Sequence, residues 1–209
     1  MQTRKGQSIE DQSMEIIEQE IGAHPYSGNE WKVVRRIIHS TADFDFARQN
    51  KIVFHKDAIK NGIEALSAGK NIIVDVNGIV GLLNKQNLVD FKNNVLCDIS
   101  NPEVVKEATK LNKTRAQTAM RMRAKEMNGG IVVIGNAPTA LLEVIEMIRE
   151  QATKPSLVVG IPVGFVSAAE SKEALESTDV PFITNRGRKG GTPCAAAIIN
   201  ALYKILRQS

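Results

Sequence analysis

Apolar side chains recur at helical intervals through the first two segments of the chain. Ile9, Ile16, Ile17 and Ile21 follow the helix period. Gly22 and His24-Pro25 end that run, because glycine favours a helix exit and proline cannot continue a helix. Trp31, Val34, Ile37 and Ile38 mark one buried face of a second helix over about 29–39, with Lys32, Arg35 and Arg36 on much of the rest. Further along, the rhythm changes to short β-branched runs at 52–54, 71–76, 95–98, 131–135, 157–161 and 181–184. Helix-length segments separate them, the signature of parallel strands joined by crossover helices. The runs are almost continuously apolar, which requires cover on both faces. Asn101 before Pro102 reads as a helix start, Pro138 opens another helix, and 192–206 carries Ala196, Ile199, Leu202 and Ile205 at core spacing. The pattern predicts an α/β fold: a three-layer doubly wound sandwich around a mainly parallel sheet.

No repeat, low-complexity tract or linker interrupts the 209 residues, so one domain spanning 1–209 is expected. With 43% hydrophobic and 24% charged residues the chain can build a core. A net charge of +4 points weakly to anionic partners. Aromatic residues are few and not interleaved with basic ones, which argues against nucleic acid. Cys97 and Cys194 are too few for a disulfide framework and lack zinc spacing, so a reducing, cytoplasmic setting fits. Acidic residues fill the N-terminal region where an export signal needs apolar ones, and the longest uncharged stretch, 155–169, falls short of the ~20 residues of a membrane span. No membrane partner is expected.

Ligands of open parallel sheets bind beyond the carboxyl ends of the strands. There the sequence places His55, Asp75, Asn77-Gly78, Asp98, Gly135-Asn136, Pro162-Val163-Gly164 and the loop 184–191. Glycines admit a large flat ligand, and Arg186, Arg188 and Lys189 beside a helix start suit an anion. His39, in the last turn of its helix, is the strongest chemical candidate. The helix dipole favours its imidazolium while Arg35 and Arg36 oppose it, and a helix-end histidine with no chemical duty is the plainer reading from spacing alone. His24 and His55 read as turn and strand-end residues, and three scattered histidines make no metal site. Cys194, near a helix start and basic residues, is either a thiolate with a depressed pKa or a small buried side chain. The GRKGGT segment lacks phosphate-loop order, and Arg121, Arg123 and Lys125 read as a solvated face.

With these segments in view, the chain resembles the precorrin-8X methylmutase family, including its cobalt-precorrin-8 branch. The resemblance runs in order through SMEII from Ser13, RRIIH ending at His39, DVNGIVG from Asp75 and Thr114-Arg115. It continues through IGNAPTAL from Ile134, PVGFVSAAESK from Pro162 and RGRKGGTPCAAA from Arg186. It implies a flavodoxin-like sandwich working as a homodimer, with a polycarboxylate tetrapyrrole near the subunit interface. The implied reaction moves a methyl group from ring carbon 11 to ring carbon 12, giving hydrogenobyrinate or its cobalt counterpart, cobyrinate. No cofactor is expected, because the migrating group never leaves the substrate. By the same resemblance His39 is the proton donor and acceptor, and Ser13 and Arg115 are substrate contacts. Arg186 and Lys189 as carboxylate partners, and Asn77 and Asn136 as polar contacts, are expectations from the strand ends. No residue distinguishes a metal-free from a cobalt-containing ring. Two rival readings are a non-catalytic corrin carrier, which needs no imidazole at His39, and a thiol acyltransferase using Cys194.

Overall fold

A computed structural model describes residues 3–49 and 51–208. Its first helix, α1 (Arg4–Ile21), is capped by the Thr3 side chain, which accepts from the Gly6 N–H, and stops at Gly22 with φ 64°. The next, α2 (Gly28–Thr41), begins where Glu30 reaches back to the Ser27 N–H and runs slightly past the expected end, closing on Ala42 in the left-handed region. A single 3-10 turn, Phe44–Ala47, leads to β1 (Ile52–Phe54) and α3 (Ala58–Ser67).

The parallel section follows with β2 (Ile72–Val74), α4 (Asn77–Leu82), α5 (Lys85–Asp90), β3 (Val95–Leu96), α6 (Pro102–Leu111) and α7 (Arg115–Met122). It ends with β4 (Ile131–Ile134), α8 (Pro138–Arg149), β5 (Leu157–Gly160), α9 (Ala168–Glu176), β6 (Phe182–Asn185) and α10 (Thr192–Leu206). Caps explain several starts. Asn101 accepts from the Glu103 N–H ahead of Pro102, and Thr114 accepts from the Gln117 N–H while Gln117 accepts from the Thr114 N–H.

The six strands are ordered β1-β6-β5-β4-β2-β3. Five are parallel in the doubly wound order of flavodoxin-like sheets, and β1 is added at one edge, antiparallel to β6 through Ile52 opposite Asn185. The expectation of parallel runs therefore fails only at β1, which is followed directly by α3 and reaches its neighbour from the far end of the chain. The strands' alternation sorts the core. Ile72, Val74, Ile131, Val133, Leu157, Val159 and Ile183 face one layer, built on α2, α3, α4 and α10. Ile73, Val132, Ile134, Val158 and Phe182 face the other, built on α6, α7, α8 and α9. Burial on both faces accounts for the apolar runs.

Candidate functional site

The strand order reverses between β2 and β4, where open α/β sheets offer their crevice. Here the protein fills that position itself. Asp75, fully buried after β2, accepts from the backbone N–H groups of Gly135 (3.0 Å), Asn136 (2.8 Å) and Ala137 (2.7 Å) ahead of α8. Burial pushes its carboxyl above the ordinary carboxylate range while the three amides pull against that shift. The amides that could cradle a phosphate are already bound to a carboxylate.

The open space lies beside the crevice, on the α10 face. Arg36, His39 and Ser40 of α2, Leu82 of α4, and Pro193, Ala196, Ala197 and Asn200 of α10 line a cleft of about 340 Å³. That is near the lower end of the ~300–1,000 Å³ of ligand pockets. His39 stands half-buried at the end of α2. Burial lowers its pKa from the usual 6.5, Arg36 and Lys204 lower it further, and Glu10 opposes them. The two cations share one acid: Arg36 Nη1 and Lys204 Nζ each lie 2.9 Å from Glu10 Oε1. Burial comes first among the causes of that direction, ahead of the neighbouring charges. Arg35 takes no part in this group, because it pairs with Glu18 at 2.5 Å.

The remaining candidates fall into four groups. Ser13 sits one turn from Glu10 on α1, its hydroxyl donating to the Ile9 carbonyl at 2.8 Å. Arg115 opens α7, exposed, and its guanidinium has no ion pair or hydrogen bond among the described residues. Asn77 and Asn136 are both exposed at strand ends, Asn77 within 3.5 Å of Ser100 Oγ. Arg186 pairs with Glu176 at 3.3 Å, and Lys189 is held between Asp43 (2.8 Å) and Asp45 (2.7 Å), just beyond the end of α2. Lys189 thus clasps the segment after His39, and a ligand carboxylate would have to displace two acids to reach it.

Packing decides one open reading and corrects another. Cys194 is completely buried, and burial pushes its thiol up to about 12, so the small-side-chain reading holds and a nucleophilic thiolate does not. Arg121 and Arg123 are not a merely solvated face: Arg121 pairs with Glu143 and Glu150, and Arg123 with Asp98 and Glu126.

Sequence reasoning missed Glu10, Lys204 and Lys172. Arg36 and His39 share a helix face, a signal that could have linked them, but Glu10 and Lys204 join only through tertiary packing. Lys172 is fully buried and pairs with no acid among the described residues. Its Nζ donates to Asn185 Oδ1 (3.1 Å) and the Lys189 carbonyl (2.7 Å), and desolvation lowers its pKa to about 8. With the Asn185 amide it fixes the glycine-rich loop that carries Lys189.

Among the described residues no cluster of three or more His, Cys, Asp or Glu could hold a metal, and no helix is long and apolar enough to cross a membrane. Comparison with known proteins matches the chain over residues 8–205 to the family model described as precorrin-8X methylmutase. It is 48% identical over 200 residues to the cobalt-precorrin-8 methylmutase of Priestia megaterium, covering 96% of this chain and 88% of that one. It is 45% identical over 208 residues to the cobalt-precorrin-8 methylmutase of Leptospira interrogans, covering 96% and 94%. The crystal structure of precorrin-8x methyl mutase from Thermus thermophilus superposes with a TM-score of 0.88 at 40% identity, covering 96% of this chain and 98% of that one.

Proposed function

The chain belongs to the precorrin-8X methylmutase family, isomerases of cobalamin biosynthesis, and on that premise we propose that it converts cobalt-precorrin-8 with His39 as its proton donor and acceptor. The methyl group moves from ring carbon 11 to ring carbon 12. Cobalt enters only as part of the substrate, and the metal-bearing form is favoured because the relatives from Priestia and Leptospira carry that name. The observation that carries the reading is His39 at the wall of an open cleft that Arg36 also lines, with Lys204 and Glu10 close enough to shift its titration.

The cleft supplies both requirements of the step. A polycarboxylate ring is drawn to Arg36, and its face can lie against Leu82, Pro193, Ala196 and Ala197. In the free protein burial, Arg36 and Lys204 all lower the His39 pKa and so disfavour its imidazolium. Substrate carboxylates add negative charge and favour the imidazolium, so His39 becomes a donor when there is something to protonate. After the shift the proton returns to it. The cleft can take only one edge of a tetrapyrrole, which supports a homodimer with the site near the subunit interface, where a second copy covers the rest. Ser13, Arg115, Asn77, Asn136, Arg186 and Lys189 remain proposed contacts, and among the described residues the Arg115 guanidinium is unengaged. We place the activity in the cytoplasm as one domain over 1–209, where two unpaired cysteines are at home.

The direct test incubates the purified chain with precorrin-8 and, separately, with cobalt-precorrin-8 while the visible spectrum follows ring conjugation. Conversion of the cobalt form alone or preferentially is expected. Conversion of the metal-free form alone would overturn the choice of substrate, and binding without conversion would favour the carrier.

A pH profile tests the histidine. If its imidazolium is the active form, kcat/KM should fall as pH rises through the free-protein pKa, below 6.5. The fall in kcat should come at higher pH, because bound carboxylates raise the same pKa. Coincident limbs would remove the electrostatic coupling. For Arg115→Ala, KM should rise roughly tenfold with kcat little changed, as for a group that binds substrate and transition state alike. Unchanged KM would take Arg115 out of the site.

A further inference from the structure

The loop 162–167, between β5 and α9, holds large apolar side chains out in water. Phe165 is 86% exposed, Val166 82% and Val163 46%. The loop is nevertheless well anchored. The Gly164 N–H donates to the Arg188 carbonyl (3.2 Å), and the Gly191 N–H donates to the Ile161 carbonyl (2.9 Å). At Gly190, φ is +154° and a Cβ would stand 2.3 Å from the Ile161 carbonyl oxygen, so only glycine lets the two loops press together. The Arg188 guanidinium carbon lies 5.9 Å from the Phe165 ring centroid, and among the described residues the group has no acid and no side-chain hydrogen bond.

This surface joins the His39 cleft. Val163 Cγ1 lies 3.7 Å from where a Cβ of Gly191 would sit, and two residues on, Pro193 lines the cleft. Exposed apolar area in a fixed loop is unfavourable in water unless something covers it. An unpaired arginine at its edge calls for an anion. We propose that Phe165, Val166 and Arg188 form a second wall of the tetrapyrrole site, the ring face lying on the two apolar side chains and Arg188 pairing with a peripheral carboxylate. The inference rests on the functional reading above and names the residues that extend its site.

A second copy of the chain fits this patch less well. A two-fold contact centred here would bring Arg188 toward its own copy without an acid between them. Three apolar side chains also fall well short of the ~800 Å² that each partner of a stable dimer buries.

The test uses full-length Phe165→Ser and Arg188→Gln, with Phe165→Tyr as the conservative control. Each is titrated with cobalt-precorrin-8 and its isomerised product by visible absorbance, and the same samples are sedimented. The first two should bind roughly tenfold or more weakly at unchanged sedimentation, with KM raised and kcat nearly kept, while Phe165→Tyr binds as the unmodified chain does. Unmodified affinity in both Phe165→Ser and Arg188→Gln would overturn the proposal. So would weaker binding that tracks a loss of mass, which would assign the loop to a contact between copies. If the unmodified chain neither binds nor converts the ring, the functional reading fails and takes this inference with it.

Discussion

His39→Ala should bind the tetrapyrrole with nearly unchanged affinity and turn it over about 100- to 10,000-fold more slowly, the range of a positioned acid or base. Affinity should survive because the imidazole is one half-buried side chain among the residues of its cleft, and the cations Arg36 and Lys204 stay where Glu10 holds them. Turnover should not, because the other histidines are engaged elsewhere. His24 stacks on Trp31 at 3.9 Å, and His55 Nδ1 accepts the Asp57 N–H. The measurement is single-turnover conversion with enzyme in excess, set beside equilibrium titration. Loss of conversion with binding retained supports the acid role. Full conversion by His39→Ala would defeat it and leave orientation of the ring as the whole of catalysis.

A companion variant separates the proton from its tuning. Arg36→Gln removes a charge that lowers the His39 pKa, so the kcat/KM limb should move to higher pH while conversion continues. That change also breaks the Arg36 contact with Glu10, while the Lys204 contact with the same acid stays. An unmoved limb would mean that burial alone sets the titration.

Much of this was legible in the chain. Apolar runs at 71–76, 131–135 and 157–161 announced strands covered on both faces, and period-2 alternation then sends Ile72 and Ile73 to opposite layers. What stayed hidden had no local signature. The strand β1 reads like its neighbours, and only its pairing with β6 makes it antiparallel. Lys189 looked like a free cation because the acids that hold it, Asp43 and Asp45, lie far back in the sequence. Cys194 could be read as a thiolate or as a small buried side chain, because its basic neighbours are visible in the sequence and its complete burial is not. The glycine-rich loop was read as an anion cradle. In the fold, part of its work is structural, held from below by Lys172 and Asn185. In each case the sequence showed the residue type, and packing decided whether its charge was available.

The largest effect on stability should come from Asp75, a residue that touches none of the cleft's lining. Its two oxygens divide three donors, Oδ1 taking the Gly135 N–H and Oδ2 those of Asn136 and Ala137. Asp75→Ala would take the acceptor from all three, the Gly135 N–H in a buried contact. An orphaned buried donor costs about 1–3 kcal/mol, so losing the acceptor shared by three should cost about 3–5 kcal/mol. Asp75→Asn keeps the shape but turns an NH2 group toward one of the donors. It can satisfy the Oδ2 pair and must leave the Gly135 N–H facing another donor, so it should lose about 1–3 kcal/mol. Urea unfolding read by far-UV circular dichroism would check both, with a lower midpoint at unchanged slope. The order matters as much as the size. Alanine worse than asparagine identifies the carboxylate as the clasp that closes the switch point, whereas two variants within about 0.5 kcal/mol of the unmodified chain would mean that those amides find other acceptors. Conversion per folded molecule should fall far less than in His39→Ala, because Asp75 secures the turn into α8 rather than the wall that carries the imidazole.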